Sequence, residues 1–230
     1  MSGTLILGAP VATVGQARAW AAAGAARNGA HYWQATVVEL VDTYYQVGAE
    51  EGVRADVALA QSAKETGFWS YAGAVRSEQW NLAGIGATGG GVPGESWPTL
   101  ADGVRGHIRR LRIYATPAGR VRAEGIYDLT VLKRPLPETY WGIAPTVEAL
   151  GGRWAPSPAY GQSIVWTYLT PLLATLDPGP HQDVLGHWAE AAIRRAVAAG
   201  VMIGDGTTWR PDDPLTRAEL AVVLEHLGLL

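Results

Sequence analysis

What most constrains the fold of this chain is the order of its hydrophobic periods: runs of helical spacing, interrupted by one segment that cannot be helix. Residues 35–49, ATVVELVDTYYQVGA, place Val37, Val38, Val41, Tyr44 and Tyr45 on one helical face. EGVRADVALAQSAKETG, 51–67, follows as a second helix with Val57, Ala60 and Ala63 inward and Gly67 in the position of a C-terminal cap. LADGVRGHIRRLRIYA, 100–115, lines up Leu100, Val104, Ile108, Leu111 and Ala115 with arginines on the other side. YGQSIVWTYLTPLLATL, 160–176, reads as a further helix, kinked or broken near Pro171. Between the second and third helices, 81–99 is glycine-rich and suits a small hairpin or a loop. The expected fold class is mainly α, with a small β or loop lobe.

A second boundary lies at DPGPHQ, 177–182, a proline and glycine stretch without hydrophobic period that reads as a linker. After it, 183–230 gives helix, turn, helix, with Thr216 as N-cap and Glu219 three residues on as a capping box. The expected organisation is therefore a domain over 1–176, a linker over 177–182 and a small module over 183–230. The module's seven acids against four arginines account for the whole net charge of −3. No basic block points to nucleic acid, and no apolar run is long enough to span a membrane. The first residues lack a basic n-region and do not read as a signal peptide.

Several chemistries are excluded by residue type. There is no cysteine, so neither thiol catalysis nor cysteine-ligated zinc is available. The five histidines form no metal-binding pair, and GDGTTWRPDDP lacks the calcium-loop spacing. GIGATG, 84–89, fits the letters of a dinucleotide fingerprint, but that motif needs a strand before it and a helix directly after it. SEQWNLA and GGVPGESWP supply neither, so the segment reads as a cleft wall. No metal and no cofactor are expected. Ten tryptophans against one phenylalanine hint at sugar-stacking faces.

Glu65 is the best chemical candidate. It falls in the last turn of its helix, at the negative end of the peptide dipole, with Phe68 and Trp69 just beyond. Desolvation and the dipole both push its pKa upward, which suits an acid that must donate a proton near neutrality. In the bland alternative it is a solvated helix-end carboxylate.

The stretch from EGVRADVALAQSAKETGFW through QWNLAGIGATGGGVPGESWP to LRIYA resembles the glucosaminidase family of peptidoglycan hydrolases, whose fold is lysozyme-like. The likeness covers roughly residues 5–175. It implies that Glu65, closing the A-Q-S-x-x-E-[ST]-G stretch, is the catalytic acid, and that Asn81, Gly84, Ile85 and Gly86 line the cleft. The tyrosine matching Tyr160 would stand near the acid. A second acid from the mobile lobe would be Glu95, with Glu78 a further candidate; otherwise the substrate's own 2-acetamido group would serve. Gln61, Trp69, Trp80, Asn81, Gly84 and Trp97 would contact or position the sugar; Trp80 stands where relatives often carry a polar residue.

DVLGHWAEAAI, GVMIGDG and LTRAE resemble one S-layer homology (SLH) module. This implies binding of a secondary cell-wall polymer by Trp188, Gly204, Asp205 and Arg217, the arginine offering a cation at a helix N-terminus. Trp188 and Arg217 pinning two helices together is the structural alternative. Together the resemblances imply an endo-β-N-acetylglucosaminidase of the cell wall or extracellular space, an autolysin or endolysin, with peptidoglycan and wall polymer as partners. A muramidase or lytic transglycosylase on the same fold, and a wall-binding or phage structural protein without catalysis, remain open from the residues alone.

Overall fold

The computed structural model describes residues 3–30, 37–87, 90–175, 177, 182–184, 186–198, 201–202 and 208–230, with only the backbone of Gln182, Val197 and Ala198. It divides into two compact units, Met1–Thr175 and Leu176–Leu230. The first is mainly helical: α1 (Val14–Asn28), α2 (Val37–Glu51), α3 (Ala55–Thr66), α4 (Leu100–Ala115), α5 (Ala118–Ala123), α6 (Leu129–Leu132), α7 (Tyr160–Ile164) and α8 (Thr170–Ala174).

At the centre lies α3. Every residue from Ala55 to Ala63 is buried, because alanine and serine on most sides let α2, α4, α7 and the chain after α7 approach closely. The apolar stripe of α4 packs mainly on α2, with Leu100, Val104, Ile108, Leu111 and Ala115 all buried. On α2 the buried face differs from the one expected: Leu40, Val41, Tyr44, Val47, Gly48 and Glu51 point inward, while Val38 is exposed and Tyr45 half-buried. The core follows the longer stripe that runs the length of the helix, and Val38 lies off it.

Glu51 ends that stripe as a buried carboxylate. Burial pushes its pKa up, but hydrogen bonds and charge from Arg109 and Arg112 outweigh this and hold it below the usual range. Arg105 reaches the same group at 3.2 Å and Arg112 at 2.9 Å. The arginine face of α4 is thus tied to the end of α2.

Two irregularities have local causes. The chain from Tyr160 to Ala174 stays helical past Pro171, but widens to a π turn over Val165–Leu169, where Thr170 N–H reaches back to Val165. Proline offers no N–H and crowds the preceding turn, and the widening accommodates both effects just before the ring. The segment 81–99 takes the loop alternative: among the described residues it holds no strand, and its shape comes from Glu95 N–H to Ile85 and Trp97 N–H to Gln79, each 2.9 Å.

The exit from α3 is the most strained stretch. Gly67 caps the helix with φ 61°, and Phe68, Trp69 and Tyr71 also take left-handed values of 52°, 62° and 50°. Side-chain and backbone bonds hold them there: Trp69 N–H to Thr66 Oγ1 at 2.9 Å and Tyr71 N–H to the Thr66 carbonyl at 3.1 Å. The turn drives Phe68 between Trp20 and Tyr168, with ring centroids 5.0 and 5.5 Å away. Gly24 leaves the room, since a Cβ there would lie 2.1 Å from the Phe68 ring.

Among the described residues of the second unit, α9 (Glu190–Ala198) and α10 (Arg217–His226) are the α-helices. Thr216 and Glu219 form the expected capping box, at 3.2 and 2.8 Å. Of the 177–182 stretch only Asp177 and the Gln182 backbone are among the described residues.

The Gly24 contact makes a direct prediction. Gly24→Ala is expected to destabilise the first unit by about 1–3 kcal/mol through overpacking, read as a lower urea midpoint by near-ultraviolet circular dichroism. Adding Phe68→Leu should recover part of that loss. A double variant less stable than either single one would show that the Phe68 ring is not what fills the site.

Candidate active site

Glu65 projects from the last turn of α3 into a cleft of about 340 Å³, lined also by Ser70, Tyr71, residues 72–75, Gly84 and Ala87. One carboxylate oxygen, Oε1, accepts a hydrogen bond from the Tyr160 hydroxyl, which α7 brings in from the far end of the unit. The other, Oε2, lies beside Gly84, at 3.4 Å from where a Cβ on that residue would stand. A Cβ at Gly84 would meet this oxygen in ordinary contact, and it is the φ of 63° that favours glycine there.

Burial pushes the Glu65 pKa up; the hydrogen bond from Tyr160 and the charge of Lys64 pull the other way without overcoming it. Tyr160 is driven well above the ordinary phenol range, by burial first and then by the Glu65 charge, so it stays a donor. Lys64 sits over the Tyr160 ring with Nζ 5.6 Å from its centroid. The result is an acid with one oxygen fixed from behind and the other facing the cleft, poised to hold a proton at higher pH than a free carboxyl.

Three residues expected at the sugar are placed elsewhere. Gln61 is 1% exposed, and its carboxamide is spent on Tyr160 and His107 rather than on the cleft. Trp69 is also 1% exposed; its ring fills the core and its Nε1–H donates to Ser62 Oγ at 3.0 Å. Trp97 is buried over Gly106, donating to the Val131 carbonyl at 2.8 Å. A ring closed off from solvent has no face to offer a sugar, so stacking does not fit Trp69 or Trp97.

Asn81, fully buried at the edge of the cleft, shapes its wall. It accepts from Ile85 N–H at 2.9 Å and donates to the Ile85 and Glu95 carbonyls at 2.9 and 3.0 Å, which closes the loop. Trp80 is half-buried with φ 51°, its carbonyl pressed against Gly103. Glu78 is exposed in a short turn, Ser77–Gln79. Glu95 is half-buried and packs against Gly86, so the Gly84–Gly86 turn touches both it and Glu65. The GIGATG segment is preceded by a turn, and α4 opens only at Leu100, as its rejection for a dinucleotide requires.

In the second unit Trp188 is 90% exposed beside His187, so its ring does not pin helices together. Arg217 is exposed at the first position of α10. Gly204 and Asp205 lie outside the described residues.

The sequence alone gives His107, Tyr44 and Tyr71 no part at the site. His107 had a signal: it falls three residues after Val104 and four before Leu111, on the buried stripe of α4. Tyr71 lies beyond a left-handed turn whose direction no spacing rule gives.

Fold and site define a mainly helical, lysozyme-like domain with one half-buried acid at its cleft. The chain belongs to the glucosaminidase family: residues 41–170 match its domain, described as mannosyl-glycoprotein endo-beta-N-acetylglucosaminidase, and residues 182–221 match the S-layer homology domain. It is 33% identical over 122 residues to an uncharacterised protein of Borreliella burgdorferi, a stretch covering 53% of this chain and 56% of that protein. The chain thus matches little more than half the length of that relative. No solved structure matches it.

The raised Glu65 pKa has a consequence for stability. A carboxyl whose folded pKa lies above its ordinary 4.5 binds protons more tightly when folded, so its contribution to stability falls as pH rises from 4.5 through the folded value. Glu65→Gln keeps an acceptor for Tyr160 and removes this cost. It is expected to raise the melting temperature by a few degrees at pH 8 and to leave it unchanged at pH 4, by calorimetry. An equal shift at both pH values would place its cause outside the titration.

Proposed function

We propose that this chain is a peptidoglycan hydrolase, an endo-β-N-acetylglucosaminidase that cleaves the β-1,4 bond after N-acetylglucosamine. The observation that carries the reading is Glu65, half-buried at the cleft with Oε1 held by Tyr160 and Oε2 directed to the Gly84 wall. Protonated Glu65 acts as general acid on the glycosidic oxygen as positive charge develops at the sugar carbon. Tyr160 holds the carboxyl in place and stabilises the carboxylate left after transfer. The cleft wall built by Asn81 and Gly84 positions the sugar, and half-buried Trp80 precedes Asn81 in the chain.

Glu95, packed on Gly86, is the carboxylate available for the second half of the reaction. It is not among the residues that line the Glu65 cleft. That favours the second route, attack of the substrate's 2-acetamido oxygen on C1, with water then opening the ring formed. Retention on the wall falls to the S-layer homology module, through exposed Trp188 and Arg217 at the N-terminus of α10 together with Gly204 and Asp205. A lone module binds secondary cell-wall polymer weakly unless several chains act together.

Digestion of purified peptidoglycan, with new ends identified by mass after borohydride reduction, tests the reading. Wild type is expected to yield reduced N-acetylglucosamine ends, and Glu65→Gln to lose about 10²–10⁴-fold of that activity. Reduced muramic acid ends would make it a muramidase, anhydro-muramic ends a transglycosylase, and no ends a binder. Glu95→Gln retaining most activity would support the acetamido route; a loss matching that of Glu65→Gln would make Glu95 the second acid.

A further inference from the structure

Behind Glu65 runs a buried chain of hydrogen bonds through four helices. Tyr44 Oη on α2 lies 2.8 Å from His107 Nδ1 on α4, and His107 Nε2 lies 3.0 Å from Gln61 Oε1 on α3. Gln61 Nε2 donates to Tyr160 Oη on α7 at 2.8 Å, and Tyr160 donates to Glu65 Oε1. Tyr44 and His107 are wholly buried, Gln61 is 1% exposed and Tyr160 6%. At the far end Ser62 bonds to Tyr44 and accepts from the Trp69 indole.

Donor and acceptor types give this chain one direction. A carboxamide oxygen only accepts, so His107 Nε2 must carry the hydrogen. A neutral imidazole has one N–H, so Nδ1 is an acceptor and Tyr44 donates to it. The carboxamide nitrogen only donates, so the Tyr160 oxygen accepts from Gln61 and has its single hydrogen left for Glu65 Oε1. With Oε1 occupied as an acceptor, the proton of the neutral acid falls to Oε2, the oxygen beside Gly84.

We infer that His107 is a positioning residue: its Nε2–H fixes the Gln61 carboxamide, hence the direction of the Tyr160 hydroxyl, hence which oxygen of Glu65 carries the reactive proton. Without that donor the carboxamide is free to turn its oxygen toward Tyr160. The Tyr160 hydrogen then follows it, and Oε1, facing away from the cleft, becomes the site of protonation. What that proton does rests on the hydrolase reading above; the direction of the chain does not.

The surroundings fit a tautomer that holds. His107 is faced by Tyr44 from α2, Gln61 from α3 and the Trp154 ring at 5.8 Å. Burial pushes its pKa down to about 3, so the imidazole stays neutral where the acid titrates. Glu65 is faced by Tyr160 from α7, by Tyr168 from the π turn, whose pKa is raised by burial and then by the Glu65 charge, and by Lys64 on its own helix. An apolar side chain at 107 would pack α4 on α2 without burying a polar ring.

Two measurements test this. In wild type, nitrogen-15 shifts of the His107 imidazole should report the neutral Nε2–H tautomer from pH 8 down to pH 5; the Nδ1–H tautomer would overturn the proposal. In His107→Phe, Glu65 loses a hydrogen bond to its charged form. Its carboxyl carbon-13 titration should therefore move up by about one unit, the alkaline limb of the pH–rate profile with it, and KM should stay unchanged. His107→Gln, which restores a donor to Gln61, should return both. A variant that only melts lower, with the carboxyl titration and the limb unmoved, would mean a merely structural histidine. If His107→Phe does not fold, Tyr44→Phe removes the hydrogen given to Nδ1 at little cost in shape and should move the titration the same way by less; no movement would overturn the proposal. The carboxyl titration reads the same whether or not the protein cleaves peptidoglycan, so failure of the chain and failure of the proposed activity are separable.

Discussion

The close approach of helices around α3 is the constraint on which the rest of the domain depends. A helix buried on all sides must be narrow, and Ala55, Ala58, Ala60, Ser62 and Ala63 make it so. Had these positions carried leucine, α2, α4 and α7 could not all reach it, and no set of side chains could bring Tyr44, His107 and Tyr160 within hydrogen-bond distance of one another's partners. The small residues therefore do more than save space. They let groups about 100 residues apart in sequence meet behind one carboxylate.

That carboxylate is held between opposing electrostatic effects. Its place at the negative end of α3 and its burial both disfavour the charged form, while Tyr160 and Lys64 favour it. An acid that must give up a proton and then survive as an anion in the same pocket needs both kinds of influence. Too little burial would leave it ionised at rest; too little hydrogen bonding would leave the anion without support after transfer. The backbone strain at Phe68, Trp69 and Tyr71 belongs to the same arrangement, since the left-handed turn ends the helix one residue after Glu65 and sends Tyr71 to the cleft.

Much of this was legible in the sequence, and the misses share a cause. Helical spacing gave α3 and the buried stripe of α4, the Gly67 cap and the Thr216 capping box, because these depend on residues close in sequence. The position of Glu65 against the dipole was visible for the same reason. The buried face of α2 was not, because the choice among apolar residues on its two flanks is made by what packs against it. Tryptophan type alone does not reveal burial, so the sequence does not show that Trp69 and Trp97 are enclosed, each with its N–H given to a partner, Ser62 or the Val131 carbonyl.

The A-Q-S-x-x-E-T-G stretch now has a physical reading, letter by letter. Ala60 permits close packing, Gln61 fastens Tyr160, Ser62 accepts from Trp69, Thr66 binds the Ser62 carbonyl and the Trp69 amide, and Gly67 supplies the left-handed turn. Only Glu65 has an oxygen left for a substrate. The stretch is therefore a mounting for one acid rather than a list of contacts, which explains how a recognisable motif can hold so few residues that face the cleft. It also explains why the polar members cannot be exchanged one at a time. Each buried donor or acceptor is satisfied by the next, so loss of one link leaves its neighbour unpaired in a buried region.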